Sequence, residues 1–160
     1  NRDRGYATKG KTPTVRLNAN RTSRSMVSAI TNQGKVRFMV YKEAMNADLM
    51  ITFMKRLIKD AGRKVFLIVD NLKTHHSKIV KKWLQEHTEE IEVFYLPSYS
   101  PELNPDEYLN CDLKCGVQSG LPARNEKELK RKMVSHMRML QKRPGRIRKY
   151  FEHPKIRYAA

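Results

Sequence analysis

The sequence of 160 residues has few cysteines, few acidic residues and no long apolar run. Its two cysteines, Cys111 and Cys115, lie four residues apart, a spacing that places both on one helix face with poor geometry for a disulfide. Further ligands at zinc spacing are not evident, so we expect free thiols in a reducing compartment. The apolar runs are too short to cross a membrane, and the start does not look like a signal peptide. These scarcities argue against a disulfide scaffold and a membrane protein, and favour a cytoplasmic protein without a membrane partner.

The scarcity of acids leaves a strongly basic chain. Sixteen Asp and Glu stand against 33 Lys and Arg, which gives a formal net charge of +17. Because a protein that binds a polyphosphate backbone releases condensed counterions, nucleic acid is the partner that this charge favours. A solvated basic surface is the alternative interpretation. The apolar content of 39% is sufficient for one core, so we expect residues 1–160 to form one domain.

Hydrophobic periods along the chain predict an α/β fold. Residues 1–24 read as an irregular lead-in, and the unbroken apolar run from Val65 to Val69 predicts a strand that is buried on both faces. Helix caps are expected at Asn46 and Gly62. The predicted elements are a hairpin at 25–44, helices at 46–62, 77–90 and 106–117, strands at 64–70 and 91–96, and one or two basic helices at about 125–160, broken near Pro144 and Gly145. The predicted inward residues of the helix at 77–90 are Ile79, Val80, Trp83 and Leu84.

Two acidic residues are expected at one rim of the sheet. Asp70 ends the first strand of the strand–helix–strand unit, and the turn after the second strand delivers "NPDE", with Asn104 as a cap and Glu107 three residues later. Paired carboxylates on a basic protein favour divalent metal and phosphate chemistry. Asp70 could instead begin an Asx turn, and Glu107 could complete a capping box. Spacing alone leaves these interpretations open.

The wording of two segments is more specific. "FLIVDNLKTHHS" and "EVFYLPSYSPELNPDEYLNCDLK" resemble the DDE-type transposases of bacterial insertion sequences, in the branch related to mariner-like elements. The opening "GYATKGKTP" is similar to another segment of that family. The matching residues of the two longer segments are Asp70, Asn71, His75, Leu96, Pro97, Tyr99, Ser100, Pro101, Leu103, Asn104, Pro105 and Glu107.

The resemblance implies an RNase H-like fold, with a mixed five-stranded sheet flanked by helices. It implies metal-dependent cleavage and transfer of DNA strands, with two Mg²⁺ or Mn²⁺ ions, at transposon ends and target DNA. Asp70 and Glu107 would be catalytic, metal-binding members of the acidic triad, with Asn71, His75 and Asn104 in support. A homodimer would be the active assembly, at the nucleoid of a bacterial cytoplasm.

The front of the sequence departs from the family pattern. The family's first aspartate lies on a strand before the "GYATKGKTP" segment, whereas Asp3 in "NRDRGYA" is expected to be a loop residue. We therefore expect an N-terminally truncated domain that lacks the first, central strand. A rearranged sheet, a strand from another chain and a fragment of a longer protein are the three alternatives. Alone, the chain is expected to be catalytically incomplete. A non-catalytic DNA-binding or assembly remnant is the competing function, and a junction resolvase suits the fold but not the wording.

Basic residues near the rim and in the tail are the expected DNA contacts: Lys73, Lys114, Arg143, Arg146, Arg148 and Lys149. The tail also carries Tyr150, Phe151 and Tyr158 among its charges. These aromatics could stack on unpaired bases or anchor the last helix on the core, and packing is the favoured interpretation.

Overall fold

The computed structural model describes residues 23–71, 76–98, 100–119 and 122–159. The predicted hairpin, strand–helix–strand unit and broken basic tail are all present. Most of the predicted lead-in, including Asp3, lies outside the described residues. In chain order the elements are β1 (Ser25–Ile30), β2 (Val36–Tyr41), α1 (Ala47–Ala61), β3 (Val65–Val69), α2 (Lys78–Glu86), β4 (Ile91–Tyr95), α3 (Asp106–Gln118), α4 (Glu126–Gln141) and α5 (Pro144–Arg148), with 3-10 turns at Pro101–Leu103, Lys149–Phe151 and Pro154–Ala159.

The strands form two small sheets. β1 and β2 pair antiparallel, with Ser25 opposite Tyr41, and β3 and β4 pair parallel, with Val69 beside Tyr95. Within the described ranges these pairs are not joined, so β1 and β3 each pair along one edge only. In the described ranges this arrangement differs from the five-stranded sheet that the resemblance implies.

Helix α1 holds the two sheets together. Its bounds follow the predicted caps, because Asn46 Oδ1 accepts the Leu49 N–H at 2.9 Å and Gly62 ends the helix in the left-handed region at φ 63°. The buried face of α1 carries Phe53, which packs in one cluster with residues of the hairpin and with Leu67 of β3. Both sheets are therefore covered by the same helix.

Burial of β3 on both faces was predicted, and this is wrong. Val65, Leu67 and Val69 pack on the helices, but Phe66 is 65% exposed and Ile68 is 45% exposed. The reason is that, in the part of the chain that the structure describes, helices cover only one side of the β3–β4 sheet. The long apolar side chains on its other side are exposed to solvent.

Helix α2 also departs from its predicted inward face. Val80 and Trp83 are buried and Leu84 is partly buried, whereas Ile79 is exposed. Successive helical residues are about 100° apart, so Ile79 falls beyond the edge of the stripe that Val80 and Leu84 define.

The second half of the chain forms its own core around α3 and α4. Met133, Met137 and Leu140 of α4 are buried against α3 and β2, and Phe151 lies in the same cluster. The expected packing role is thus confirmed for Phe151. The Tyr158 ring is exposed, and its hydroxyl donates to the Leu103 carbonyl at 2.6 Å.

Two expectations from the opening composition can be checked directly. Cys111 and Cys115 are both free and exposed, as expected. In the described part of the chain, no helix combines the length and the apolar character that a membrane span needs.

Candidate active site

The carboxyl ends of β3 and β4 form one rim. Asp70 follows β3 directly, and the parallel pairing continues at this end because the Leu96 N–H donates to the Val69 carbonyl at 2.8 Å. One residue on, Asn71 Nδ2 donates to Ser98 Oγ at 2.8 Å and ties the segment after β3 to the turn after β4. Asp70 is therefore placed beside the turn that leads to α3.

His76 also connects the segment after β3 to β4. The His76 ring hydrogen-bonds to Asn71 Oδ1 and stacks on Tyr95, with ring centroids 4.3 Å apart. Asn71, which was expected to support the site, thus connects both strand ends. His75, the histidine named by the resemblance, lies outside the described residues, and so does Lys73.

The hydrogen bonds at the start of α3 show whether Glu107 completes a capping box. Asn104 Oδ1 accepts the Asp106 N–H at 3.0 Å, which is the predicted cap. In a capping box the Glu107 carboxylate would receive the Asn104 N–H. That N–H donates to the Pro101 carbonyl at 3.0 Å instead. A capping box therefore does not account for the Glu107 carboxylate, which lies in the first turn of α3.

Asp106 is a third acid of the site that sequence reasoning missed. The Ser28 hydroxyl lies 2.9 and 2.8 Å from its two carboxylate oxygens. The pKa of Asp106 is raised to about 6, mainly by burial; the Ser28 hydrogen bond acts to lower it, and the charges of Glu107 and Asp70 act to raise it. The carboxylates of Asp70 and Glu107 therefore both lie within electrostatic range of Asp106. The adjacent "DE" was visible in the sequence, but no spacing pointed to Ser28, 78 residues earlier.

The available donors fit a hard divalent ion. Asp70 and Glu107 both carry carboxylate oxygens, and the Asp106 carboxylate accepts a hydrogen bond from Ser28. No group of three or more acidic, histidine or cysteine side chains in the described ranges could by itself enclose a metal. Mg²⁺ is commonly held by one or two carboxylates, with water and substrate phosphates completing its shell. Asp70 and Glu107 match that donor set.

Helix α3 is fixed to the tail by Asp112, whose side chain is only 8% exposed. Its carboxylate accepts hydrogen bonds from His136 Nε2 at 2.8 Å, Arg146 Nε at 2.6 Å and the Tyr150 hydroxyl at 2.5 Å. Burial acts to raise the pKa of Asp112, but the hydrogen bonds from Tyr150, Arg146 and His136 outweigh it and the pKa is lowered. This cluster holds α4 and α5 on the helix that carries Glu107.

The expected DNA contacts that the structure describes divide into two kinds. Arg146, one of them, is bound to Asp112 and is therefore part of the tail's anchorage. Lys114, Arg143, Arg148 and Lys149 are exposed.

Comparisons with known proteins bear on the family and the fold of the chain. The pattern of the DDE superfamily endonucleases matches residues 1–130. Among solved structures, the chain is similar to the Mos1 transposase catalytic domain with Raltegravir and Mg, at 17% identity over 81% of this chain and 78% of that one, with a TM-score of 0.57. It is also similar to the Mos1 mariner paired-end complex with Mn, at 19% identity and a TM-score of 0.62, covering 95% of this chain and 49% of that one. A search of curated protein sequences gave no match.

These likenesses establish the fold class. The expected RNase H-like α/β fold is confirmed by the similarity to the Mos1 catalytic domain. The chain spans about half the length of the transposase chain in the paired-end complex, 49%. Because the family pattern covers residues 1–130 of 160, the chain belongs to the DDE superfamily endonucleases.

Proposed function

We propose that this chain is a transposase catalytic domain that takes part in DNA strand cleavage and strand transfer at the ends of a bacterial insertion sequence. The proposal is carried by the parallel pairing of β3 with β4, which brings Asp70 and the turn that leads to Glu107 to one end of the sheet, and by the Asn104 N–H, which donates to the Pro101 carbonyl and not to a capping Glu107. The similarity to the Mos1 transposase catalytic domain with Mg and to the Mos1 mariner paired-end complex with Mn supports it.

The reaction class is phosphoryl transfer. A water oxygen attacks a phosphodiester at the element's end, a P–O bond forms, and the bond to the 3′ oxygen breaks to leave a 3′-hydroxyl and a 5′-phosphate. That 3′-hydroxyl then attacks a phosphodiester of target DNA in the same sense. Mg²⁺ or Mn²⁺, held as a pair in the complete enzyme, supplies activation of the nucleophile and stabilisation of the leaving oxygen. Asp70 and Glu107 hold that metal, and Asn71 keeps the rim in place.

The proposal includes a limit on the isolated 160 residues. Two acids match the family's triad, and no residue of this sequence matches the first aspartate in its strand context. In the described ranges β1 and β3 each pair along one edge only, which is consistent with a sheet that includes a further strand. We propose that the 160 residues bind metal weakly and do not cleave DNA by themselves. The active assembly is proposed to be a homodimer, as in related transposases.

Metal binding tests the proposal. Calorimetry with Mn²⁺ is expected to show weak binding that Asp70→Asn or Glu107→Gln abolishes. Glu89→Gln, which removes an exposed acid outside the site, serves as the control and is expected to bind like the unaltered chain. Binding that survives both site substitutions would contradict the assignment of Asp70 and Glu107.

A non-catalytic DNA-binding or assembly remnant is the second candidate, favoured by the single-edge pairing of β1 and β3 among the residues that the structure describes. A cleavage assay beside a DNA-binding assay separates the two. DNA binding without any Asp70-dependent Mn²⁺ affinity supports the remnant. Mn²⁺-dependent strand cleavage by the isolated chain would show that the catalytic set is already complete, and would refute both the remnant and the proposed incompleteness.

A further inference from the structure

Helix α4 presents a stripe of cations on the side away from the core. Arg131, Arg138 and Lys142 are separated by seven and four residues, so at about 100° per residue they lie within roughly 40° of one another around the helix axis. The buried residues of α4, Met133 and Met137, lie on the opposite side. All three cations are exposed.

A shallow groove follows this stripe. Its volume is about 580 Å³, and its lining residues are Arg131, Val134, Ser135, Arg138, Met139, Lys142 and Arg143. Four of the seven are cationic and none is acidic. The groove shares no residue with the rim that carries Asp70 and Glu107. It is a separate basic surface, and only Arg143 of it was expected from the sequence to contact DNA.

The acids near the stripe are already occupied. Glu126 pairs with Arg24 at 2.8 Å, and Glu128 accepts the Arg124 N–H at 2.8 Å. Glu128 reaches Arg131 only at 4.0 Å, and the Arg131 side chain is largely exposed. In the described part of the chain, Arg138 and Lys142 form no ion pair at all. Their charge is therefore available to a ligand.

We propose that the stripe of Arg131, Arg138 and Lys142, with Arg143 at its end, binds the phosphate backbone of duplex DNA. Eleven residues of helix separate Arg131 from Lys142, about 16 Å along the axis. Duplex DNA rises about 3.4 Å per base pair, so the stripe matches the phosphates of roughly five successive steps. The groove offers no stacking platform, because its apolar residues are Val134 and Met139. Contact is through charge, without reading of the bases.

The choice of DNA as the occupant rests on the proposed function. An exposed cationic stripe would also attract other polyanions, but a DDE endonuclease domain must hold a duplex while its rim acts on a phosphodiester. The stripe gives such a domain a grip on DNA that does not involve its acidic residues.

The test measures the salt dependence of DNA affinity. The full chain is titrated against a fluorescent duplex of about 24 base pairs between about 50 and 200 mM NaCl, without divalent metal. The stripe variant is Arg131→Gln, Arg138→Gln and Lys142→Gln together. The control variant is Lys55→Gln, Arg56→Gln and Lys59→Gln, three exposed cations of α1 that change the net charge equally. Thermal melts check that each variant is folded.

Each phosphate contact contributes about 0.9 to the slope of log affinity against log salt. The stripe variant is expected to lose about 2 to 3 from that slope, and the control variant less than about 1. Equal losses in the two variants would overturn the proposal, since they would show a general effect of net charge. An unchanged slope in the stripe variant, or no DNA binding by the unaltered chain, would overturn it as well.

A further variant separates this proposal from the proposed function. Asp70→Asn is expected to retain the full salt slope while losing Mn²⁺ affinity. If the stripe fails but Asp70 still governs Mn²⁺ binding, the proposed function stands and only the location of the DNA surface is wrong. If Asp70→Asn leaves Mn²⁺ affinity unchanged while the stripe variant loses its slope, the stripe stands and the catalytic proposal falls.

Discussion

Replacement of Asp112 by alanine is the most informative perturbation of the fold around the site. The Asp112 carboxylate accepts bonds from His136, Arg146 and Tyr150, which belong to three elements after α3. Its removal leaves the partly buried His136 and Tyr150 groups without their acceptor. The tail would then be held on α3 by apolar contacts alone.

The structure allows an estimate of the cost. A net hydrogen bond to a charged group contributes about 1.5–3 kcal/mol. Three bonds that share one carboxylate are not additive, and the contribution of Arg146 is discounted because its side chain is 46% exposed to screening solvent. We expect the free energy of unfolding to fall by about 3 kcal/mol, the low end for a broken buried pair. For a domain of this size the melting temperature then falls by roughly 6–12 °C.

Urea unfolding at several pH values is the assay. The pKa of Asp112 is lowered in the folded state, so near its unfolded pKa of about 3.9 the unfolded chain binds more protons. The stabilisation is therefore fully present above about pH 4, and it is lost as the pH falls through the folded pKa. The difference between the unaltered chain and Asp112→Ala is expected to shrink over that acidic range.

A surface pair provides the matched control. The Asp60 carboxylate accepts a hydrogen bond from Arg37 Nε at 2.5 Å. Because the Asp60 side chain is 43% exposed, Asp60→Ala is expected to lower the free energy of unfolding by less than about 1 kcal/mol. The reasoning about Asp112 is refuted if Asp112→Ala costs no more than Asp60→Ala. It is also refuted if the cost of Asp112→Ala is the same at pH 7 and in acid.

Three other predictions test the fold. Gly34→Ala is expected to lower the free energy of unfolding in urea by more than about 2 kcal/mol, because φ is 89° and the added Cβ would lie 2.5 Å from the Pro144 carbonyl oxygen of α5. Gly62→Ala, which has open space around it, is expected to cost about 1 kcal/mol. Equal costs would contradict the packing of the hairpin turn against α5. Burial, then the neighbouring carboxylate, raise the pKa of Tyr150 to about 12, so a difference absorbance titration against Tyr150→Phe is expected to remove a tyrosine that ionises near pH 12 rather than near 10. Phe66→Ser is expected to change stability by less than about 0.5 kcal/mol and Leu67→Ala by more than about 1 kcal/mol; the reverse order would show that the outer face of β3 is covered.

Local features of the sequence predicted the helices and strands and the position of Asp70 at the end of β3. Asn46 and Gly62 bound α1 because caps act within a turn of the residue that makes them. Asp70 was predicted at the rim because a parallel strand and the turn after its neighbour end on the same side. The placement of Asp70 beside the turn to α3 agrees with that reasoning, while the metal-binding role of Asp70 and Glu107 stays a prediction.

Sequence alone determined the family, the order of elements and the excess of positive charge, because these depend on residues that are near in the chain or on composition. Only the tertiary structure decided which long-range partners meet. Ser28 reaches Asp106 across 78 residues, and Arg146 pairs with Asp112, while its contact with DNA stays a prediction. The exposed side of β3 was decided in the same way, since burial of a strand face depends on what packs over it and not on the strand's own apolar run.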